Sequence, residues 1–143
     1  MNRCTWPGSS IRSQKPWGHE ISWTGIFPGK ELFIKASHRT SLKFNVFKNE
    51  MLYIQSGEIL AEFADEGHLR DPVAHPSKRR TLLPGDCLNI QAGCPYRLSA
   101  IKDSTVFEIS DSTSCSDKVV IEDDYGRDTT EAERQKLIFN PLT

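Results

Sequence analysis

Turn-forming residues break this chain so often that only short elements fit between them. Pro28-Gly29, Gly57, Pro84-Gly85-Asp86, Ala92-Gly93 and Lys102-Asp103 punctuate most of its length. The intervals read as strands: Glu20 to Thr24, Lys30 to Ala36, Ser41 to Phe47, Glu50 to Gln55, Glu58 to Ala64, Thr81 to Leu83, Leu88 to Ile90, Arg97 to Ile101 and Thr105 to Ser110. In Lys30 to Ala36, Leu32, Ile34 and Ala36 alternate with Glu31, Phe33 and Lys35, the period-two signature of a half-buried strand. Ile59, Ala61 and Phe63 alternate in the same way. Many short strands with Gly/Pro turns and almost no helical period predict an all-β sandwich or barrel.

At 143 residues the chain predicts one domain with a real core. Its net charge of −1 gives no global field toward nucleic acid or an acidic membrane. No apolar run is long enough to span a bilayer, and MNRCTWPGSS lacks the apolar segment of a signal peptide. Cys4, Cys87, Cys94 and Cys115 show no C-x-x-C spacing and read as reduced thiols of a cytoplasmic protein. The expected organisation is an N-terminal arm (1–14), a barrel (15–127) with a long loop (65–80), and a helical tail (128–143). Within the tail, Thr130 and Glu133 have capping-box spacing ahead of a short C-terminal helix.

The organising stretch is Thr40 to Gly57, TSLKFNVFKNEMLYIQSG, two strand-like runs joined at Lys48-Asn49. In order along the chain stand Lys15-Pro16-Trp17-Gly18, Ser41-Leu42-Lys43, Glu50, Gly57, Pro84-Gly85-Asp86, Ile90-x-Ala92-Gly93-x-Pro95 and Glu122 to Arg127. These blocks resemble the K-P-W-G, S-L-Q-x-H, I-P-x-G-x-x-H and E-D-x-Y-G-R motifs of mannose-6-phosphate isomerase-like cupins. The resemblance implies a single-domain cupin, a jelly-roll β-barrel, often dimeric, that binds a sugar phosphate or related small polar ligand. Better-studied members isomerise an aldose and ketose with a divalent metal.

The metal positions depart from the pattern. Lys43 replaces the Gln, Asn45 and Phe47 stand at the two histidines, Gln91 replaces the Pro and Tyr96 replaces the last His; Glu50 alone is kept. Asn and neutral Tyr oxygens are weak donors for a transition ion, and Phe cannot ligate. The expectation is therefore no metal and no other cofactor. Residues two apart on a strand share a face, so Lys43, Asn45 and Phe47 should project together. In the cupin arrangement that face is the barrel interior.

Two readings of this interior remain open. In one, Lys43, Asn45, Glu50, Tyr96 and Arg97 line a metal-free polar cavity for a sugar phosphate or nucleotide sugar. Glu50 then acts as general base, Tyr96 as general acid and Lys43 as phosphate or carbonyl contact, an isomerase- or epimerase-like set. In the other, Glu50 and Lys43 form an internal ion pair, Tyr96 packs, Phe47 fills the vacated metal space, and the barrel is a scaffold; non-catalytic ligand binding, as a regulator or accessory subunit, is the alternative with the cavity open. The partners expected are a small ligand and a second copy of the chain, with neither nucleic acid nor membrane. Trp6, Trp17 and Trp23 read as core aromatics, and Glu122-Asp123-Asp124 as a solvated tail pairing with Arg127.

Overall fold

The computed structural model describes Cys4, residues 10–111 and residues 118–127. Among these, eleven strands appear: β1 Ser10–Lys15, β2 Gly18–Trp23, β3 Gly29–Ile34, β4 Leu42–Asn45, β5 Glu50–Ser56, β6 Ile59–Phe63, β7 Lys78–Leu82, β8 Cys87–Ile90, β9 Tyr96–Ala100, β10 Ser104–Ser110 and β11 Lys118–Glu122. The only helical element among the described residues is a 3-10 turn, Glu66–Leu69. The strands form a six-stranded sheet, ordered β1-β2-β3-β10-β5-β8, and a five-stranded sheet, ordered β11-β4-β9-β6-β7. Every pairing is antiparallel. The all-β expectation holds; the C-terminal helix and Trp6 lie outside the described residues.

The core lies between the sheets. Leu32, Ile34, Leu52, Ile54 and Val106 come from one sheet, and Ile59, Ala61, Leu82, Leu98 and Ala100 from the other. These are alternate positions on their strands, as two facing sheets require. Strand β4 is buried on both sides: Phe44 and, just past the strand's end, Val46 form a smaller cluster with Val119, covered by Leu69 and Ile121. That leaves Lys43 and Asn45 to point between the sheets.

Turn chemistry brings the two motifs together. Gly57 has φ +90°, and a Cβ there would overlap Ser104 Oγ and the Asp103 carbonyl. Only glycine fits this tight return from β5 to β6. Asp86 accepts from the Leu83 amide at 2.8 Å, and the Gly85 amide donates to the Ile54 carbonyl at 2.9 Å. The Ala92-Gly93 turn is tied to the first motif, since Ala92 N donates to Asn49 Oδ1 at 2.9 Å and Gly93 N to the Asn45 carbonyl at 2.7 Å.

Three expectations are corrected here. The arm expected over 1–14 is, from Ser10, strand β1, paired with β2 in full register. The loop expected over 65–80 ends earlier, because Lys78-Arg79-Arg80 opens edge strand β7 against Phe63, Glu62 and Ala61 of β6. Cations on an edge discourage pairing with other chains, which explains this basic run without nucleic acid. The acidic segment pairs with Arg127 as expected and keeps Glu122 and Asp124 exposed, but it is docked onto the sheet rather than free. Arg97, with a side chain only 3% exposed, donates to Glu122 Oε2 at 3.2 Å and to the Thr40 carbonyl at 3.1 Å. Arg39 grips Asp124 through two bonds of 2.6 and 2.8 Å, and Arg127 grips Asp123 at 2.8 Å. Tyr125 donates from its hydroxyl to the Arg39 carbonyl.

Candidate functional site

A cavity of about 220 Å³ opens between the sheets. Six cationic side chains line it: Lys15, Lys30, Lys43, Lys48, Lys118 and Arg127. Two carboxylates, Glu20 and Glu108, join them, with Trp17, Leu32 and Asn45 among the remaining walls. The strand registers explain the clustering. Glu108 of β10 stands opposite Lys30 of β3, Lys118 of β11 opposite Asn45 of β4, and Lys43 of β4 opposite Tyr96 of β9.

Local pairing neutralises part of this charge. Glu20 sits 3.5 Å from both Lys15 and Lys30. Burial opposes its ionisation, but Lys30 and Lys15 outweigh it and hold the carboxyl below its usual range. Lys48 is 2.9 Å from Glu50 Oε1, and Arg127 is held by Asp123. Lys43 lies 5.3 Å above the Tyr96 ring, a cation–π contact. Neither Lys43 nor Lys118 forms an ion pair with a described carboxylate. Lys118 is exposed along its chain, yet desolvation by the protein around it, then Lys43, Lys15 and Lys30, pull its pKa down to about 8.

Behind the lysines lies a proton-sharing group. Tyr96 donates to Glu50 Oε2 at 2.5 Å, and the Glu50 side chain is wholly buried. The Lys48 ammonium faces Oε1 at 2.9 Å. Burial pushes the Glu50 carboxyl up, while Lys43, Lys48 and the Tyr96 hydroxyl prevail and hold it low. Burial, then Glu50 and Glu108, raises the Tyr96 phenol well above its usual range. Burial also raises Glu108, with Glu50 adding to the shift and Lys43 opposing it.

The predicted site residues separate accordingly. Lys43 and Asn45 line the cavity; Glu50 and Tyr96 lie behind it, bonded to each other rather than spaced across it. Lys48, not Lys43, makes the contact ion pair with Glu50. Arg97 belongs to the clasp on Thr40 and Glu122, because it alternates with Tyr96 on β9 and turns to the opposite face. Phe47 is 75% exposed and does not fill the vacated metal space, because β4 ends at Asn45 and the shared face ends with it. Sequence reasoning missed Lys15, Glu20, Lys30, Lys48, Glu108, Lys118 and Arg127. Lys30 and Glu108 carried a usable signal. Each continues the buried face of its strand, Lys30 with Leu32 and Ile34, Glu108 with Ser104 and Val106.

A divalent ion does not fit this donor set. The one retained ligand position, Glu50, already faces an ammonium and accepts from a phenol. Among the described residues no three His, Cys, Asp or Glu side chains gather as a metal site.

No protein-family model and no curated protein sequence matches the chain. Solved structures do. The capsular polysaccharide assembling protein CapF from Staphylococcus aureus aligns with TM-score 0.67 and 11% identity, over 82% of this chain and 33% of its own. A variant of oxalate decarboxylase from B. subtilis aligns with TM-score 0.67 and 16% identity, over 91% of this chain and 34% of its own. KdgF from Halomonas sp. aligns with TM-score 0.58 and 14% identity, over 74% of this chain and 89% of its own. The chain thus spans about a third of the first two proteins. At these identities the likeness establishes the fold alone, an all-β jelly roll of two antiparallel sheets of the kind cupins have.

Proposed function

We propose that this cupin binds a small anionic ligand, a monosaccharide phosphate or a similarly sized phosphorylated or carboxylated compound. The observation that carries the reading is the group of six cations on one cavity, of which Lys43 and Lys118 lack a described acidic partner. Ammonium groups left unpaired in a partly desolvated cavity favour an incoming anion. At about 220 Å³ the cavity is below the roughly 300–1,000 Å³ common for drug-sized ligands, which favours a sugar phosphate over a whole nucleotide sugar. The hydroxyls of such a ligand find Glu20, Asn45 and Ser41 on the walls, and Trp17 offers an apolar face. Resemblance to sugar-phosphate cupins, and a structural likeness to a capsular polysaccharide assembling protein, point the same way. Fold does not fix function, so the cavity's charge remains the main support.

A second reading adds proton transfer, and Glu108 favours it. Both carboxyls are buried, but Glu108 lines the cavity with a raised pKa while Glu50 lies behind the wall, engaged by Tyr96 and Lys48, so Glu108 is the better acid–base candidate. The isomerase- or epimerase-like activity proposed for Glu50, Tyr96 and Lys43 would then run through Glu108 and Lys43.

We further propose a homodimer in the cytoplasm. Met51 and Ile109 are exposed and stand opposite each other on the outer face of the six-stranded sheet, beside Tyr53 and Phe107. A light-scattering mass equal to one chain across a wide concentration range would refute the dimer. The ligand reading is tested by thermal shift with neutral sugars, sugar phosphates and nucleotide sugars. Stabilisation by phosphorylated monosaccharides alone supports it; a melting temperature unmoved by every anion rejects it.

A further inference from the structure

The cations of the cavity are not equivalent. Lys15 and Lys30 share Glu20, Lys48 holds Glu50, Arg127 holds Asp123, and Lys43 covers the Tyr96 ring. Lys118 has none of these partners. It opens β11 opposite Asn45, its chain is exposed, and it lines the same cavity as Lys15, Lys30 and Lys43. A primary amine lining one cavity with three other ammonium groups, reachable from solvent and in no ion pair with a described carboxylate, is in an environment that keeps a lysine partly unprotonated, with only the attraction of Glu20 opposing it.

We propose that Lys118 is a nucleophilic lysine that captures the carbonyl of a small phosphorylated aldehyde or ketone as a reversible imine. The proposal rests on the anion-binding reading, since Lys43 and its neighbours would hold the phosphate while Lys118 reacts. The unprotonated amine attacks the carbonyl carbon. A C–N bond forms, the carbonyl π pair moves to oxygen, and a proton shift from nitrogen to oxygen gives the carbinolamine. Protonation of that hydroxyl breaks the C–O bond, water leaves, and the nitrogen lone pair closes the iminium. Of the two cavity carboxyls, Glu20 is held low by Lys30 and Lys15, whereas burial raises Glu108, so Glu108 supplies this proton and regains one when the iminium loses its own. No oxidant or reductant is needed, and water reverses the sequence. The pKa of about 8 at Lys118 leaves a far larger unprotonated fraction near neutral pH than a free lysine has.

The test is reductive trapping on the full chain. Protein is incubated with D-glyceraldehyde 3-phosphate and cyanoborohydride, which fixes an imine as a secondary amine, and the adduct is mapped by mass spectrometry. Labelling at Lys118 should exceed that at any other lysine by at least tenfold. Lys118→Arg should abolish this site-selective labelling, and selective labelling that persists on another cavity lysine in this variant overturns the assignment of Lys118. Glu108→Gln should slow the trapping at least tenfold, and an unchanged rate would overturn its assignment as proton donor. Labelling spread evenly over surface lysines, in a wild-type protein that binds glycerol 3-phosphate, overturns the imine alone. Failure of wild type to bind glycerol 3-phosphate overturns the cavity reading and the imine with it.

Discussion

Replacing Lys48 by Met should destabilise the chain more than replacing Lys43, although Lys43 is the residue the motif comparison singles out. Lys48 Nζ lies 2.9 Å from Glu50 Oε1, with side-chain exposures of 11% and 0%. Removing one member of a buried pair typically costs about 3–5 kcal/mol, because the other charge is left behind. Slight exposure of Lys48 and the remaining Tyr96 bond favour the lower end, about 3 kcal/mol. At this size that is a melting shift of roughly 10 °C. Glu50→Gln keeps the Tyr96 hydrogen bond and lets the lysine turn to solvent, so about 1–2 kcal/mol is expected. The double variant Lys48→Met/Glu50→Gln buries no unpaired charge and should lose no more than about 2 kcal/mol, a coupling of about 2–3 kcal/mol. Lys43 exerts the larger Coulombic pull on Glu50, but only Lys48 is in contact with it, and removing Lys43 also relieves its crowding of Lys118. The contact at 2.9 Å decides the comparison, so the coupling of Lys43 to Glu50 should stay below that of Lys48. Urea unfolding followed by circular dichroism supplies both cycles. Equal or stronger coupling for Lys43 would refute the assignment of Lys48 as the partner of Glu50.

Arg97→Ala should destabilise by about 1.5–3 kcal/mol in urea unfolding, the range for hydrogen bonds to charged groups, here those to the buried Thr40 carbonyl and to the exposed Glu122 carboxylate, and leave ligand affinity unchanged; a large loss of binding with intact stability would return Arg97 to the site. Gly57→Ala should cost more than about 1 kcal/mol in the same assay, since the positive φ and the overlap with Ser104 both oppose it. Lys118 sets a pH signature. Its folded pKa of about 8 lies below the roughly 10.4 of free lysine, so between these values the unfolded chain binds more protons and the contribution of Lys118 to stability rises with pH. Anion affinity, which uses the ammonium, should fall through the same window; both trends should vanish in Lys118→Met, and identical pH profiles for variant and wild type would contradict the assignment.

The fold was legible because its signals are local. The turns at Gly57 and Pro84-Gly85-Asp86 must bend where they do, and alternation in Lys30 to Ala36 fixes which side faces in. Strand β1 was hidden because SIRSQK is polar and mostly exposed, held by pairing with β2 rather than by burial. Strand β11 was hidden because its hydrophobic residues pack in a satellite cluster outside the main core. Motif spacing placed Lys43 and Asn45 in the cavity, as alternation on β4 requires. It misplaced Phe47 because alternation stops where a strand stops, and no local signal marked that end at Asn45. It misread Arg97 because adjacent residues on β9 face opposite ways. The cation cluster was not legible as a cluster, since its members come from β1, β3, β4, β11 and two connecting segments. Only cross-strand register brings Lys118 beside Asn45 and Lys30 beside Glu108.

Calorimetric titration of mannose 6-phosphate and of unphosphorylated mannose, into wild type and Lys43→Met/Lys118→Met, addresses the cavity's role most directly. Saturable one-site binding of the phosphate, weakened by added salt and at least tenfold in the double variant, with no heat from mannose, is the predicted result. Equal binding of both sugars, or phosphate binding that the double variant retains in full, would contradict an anion-binding cavity built on these lysines.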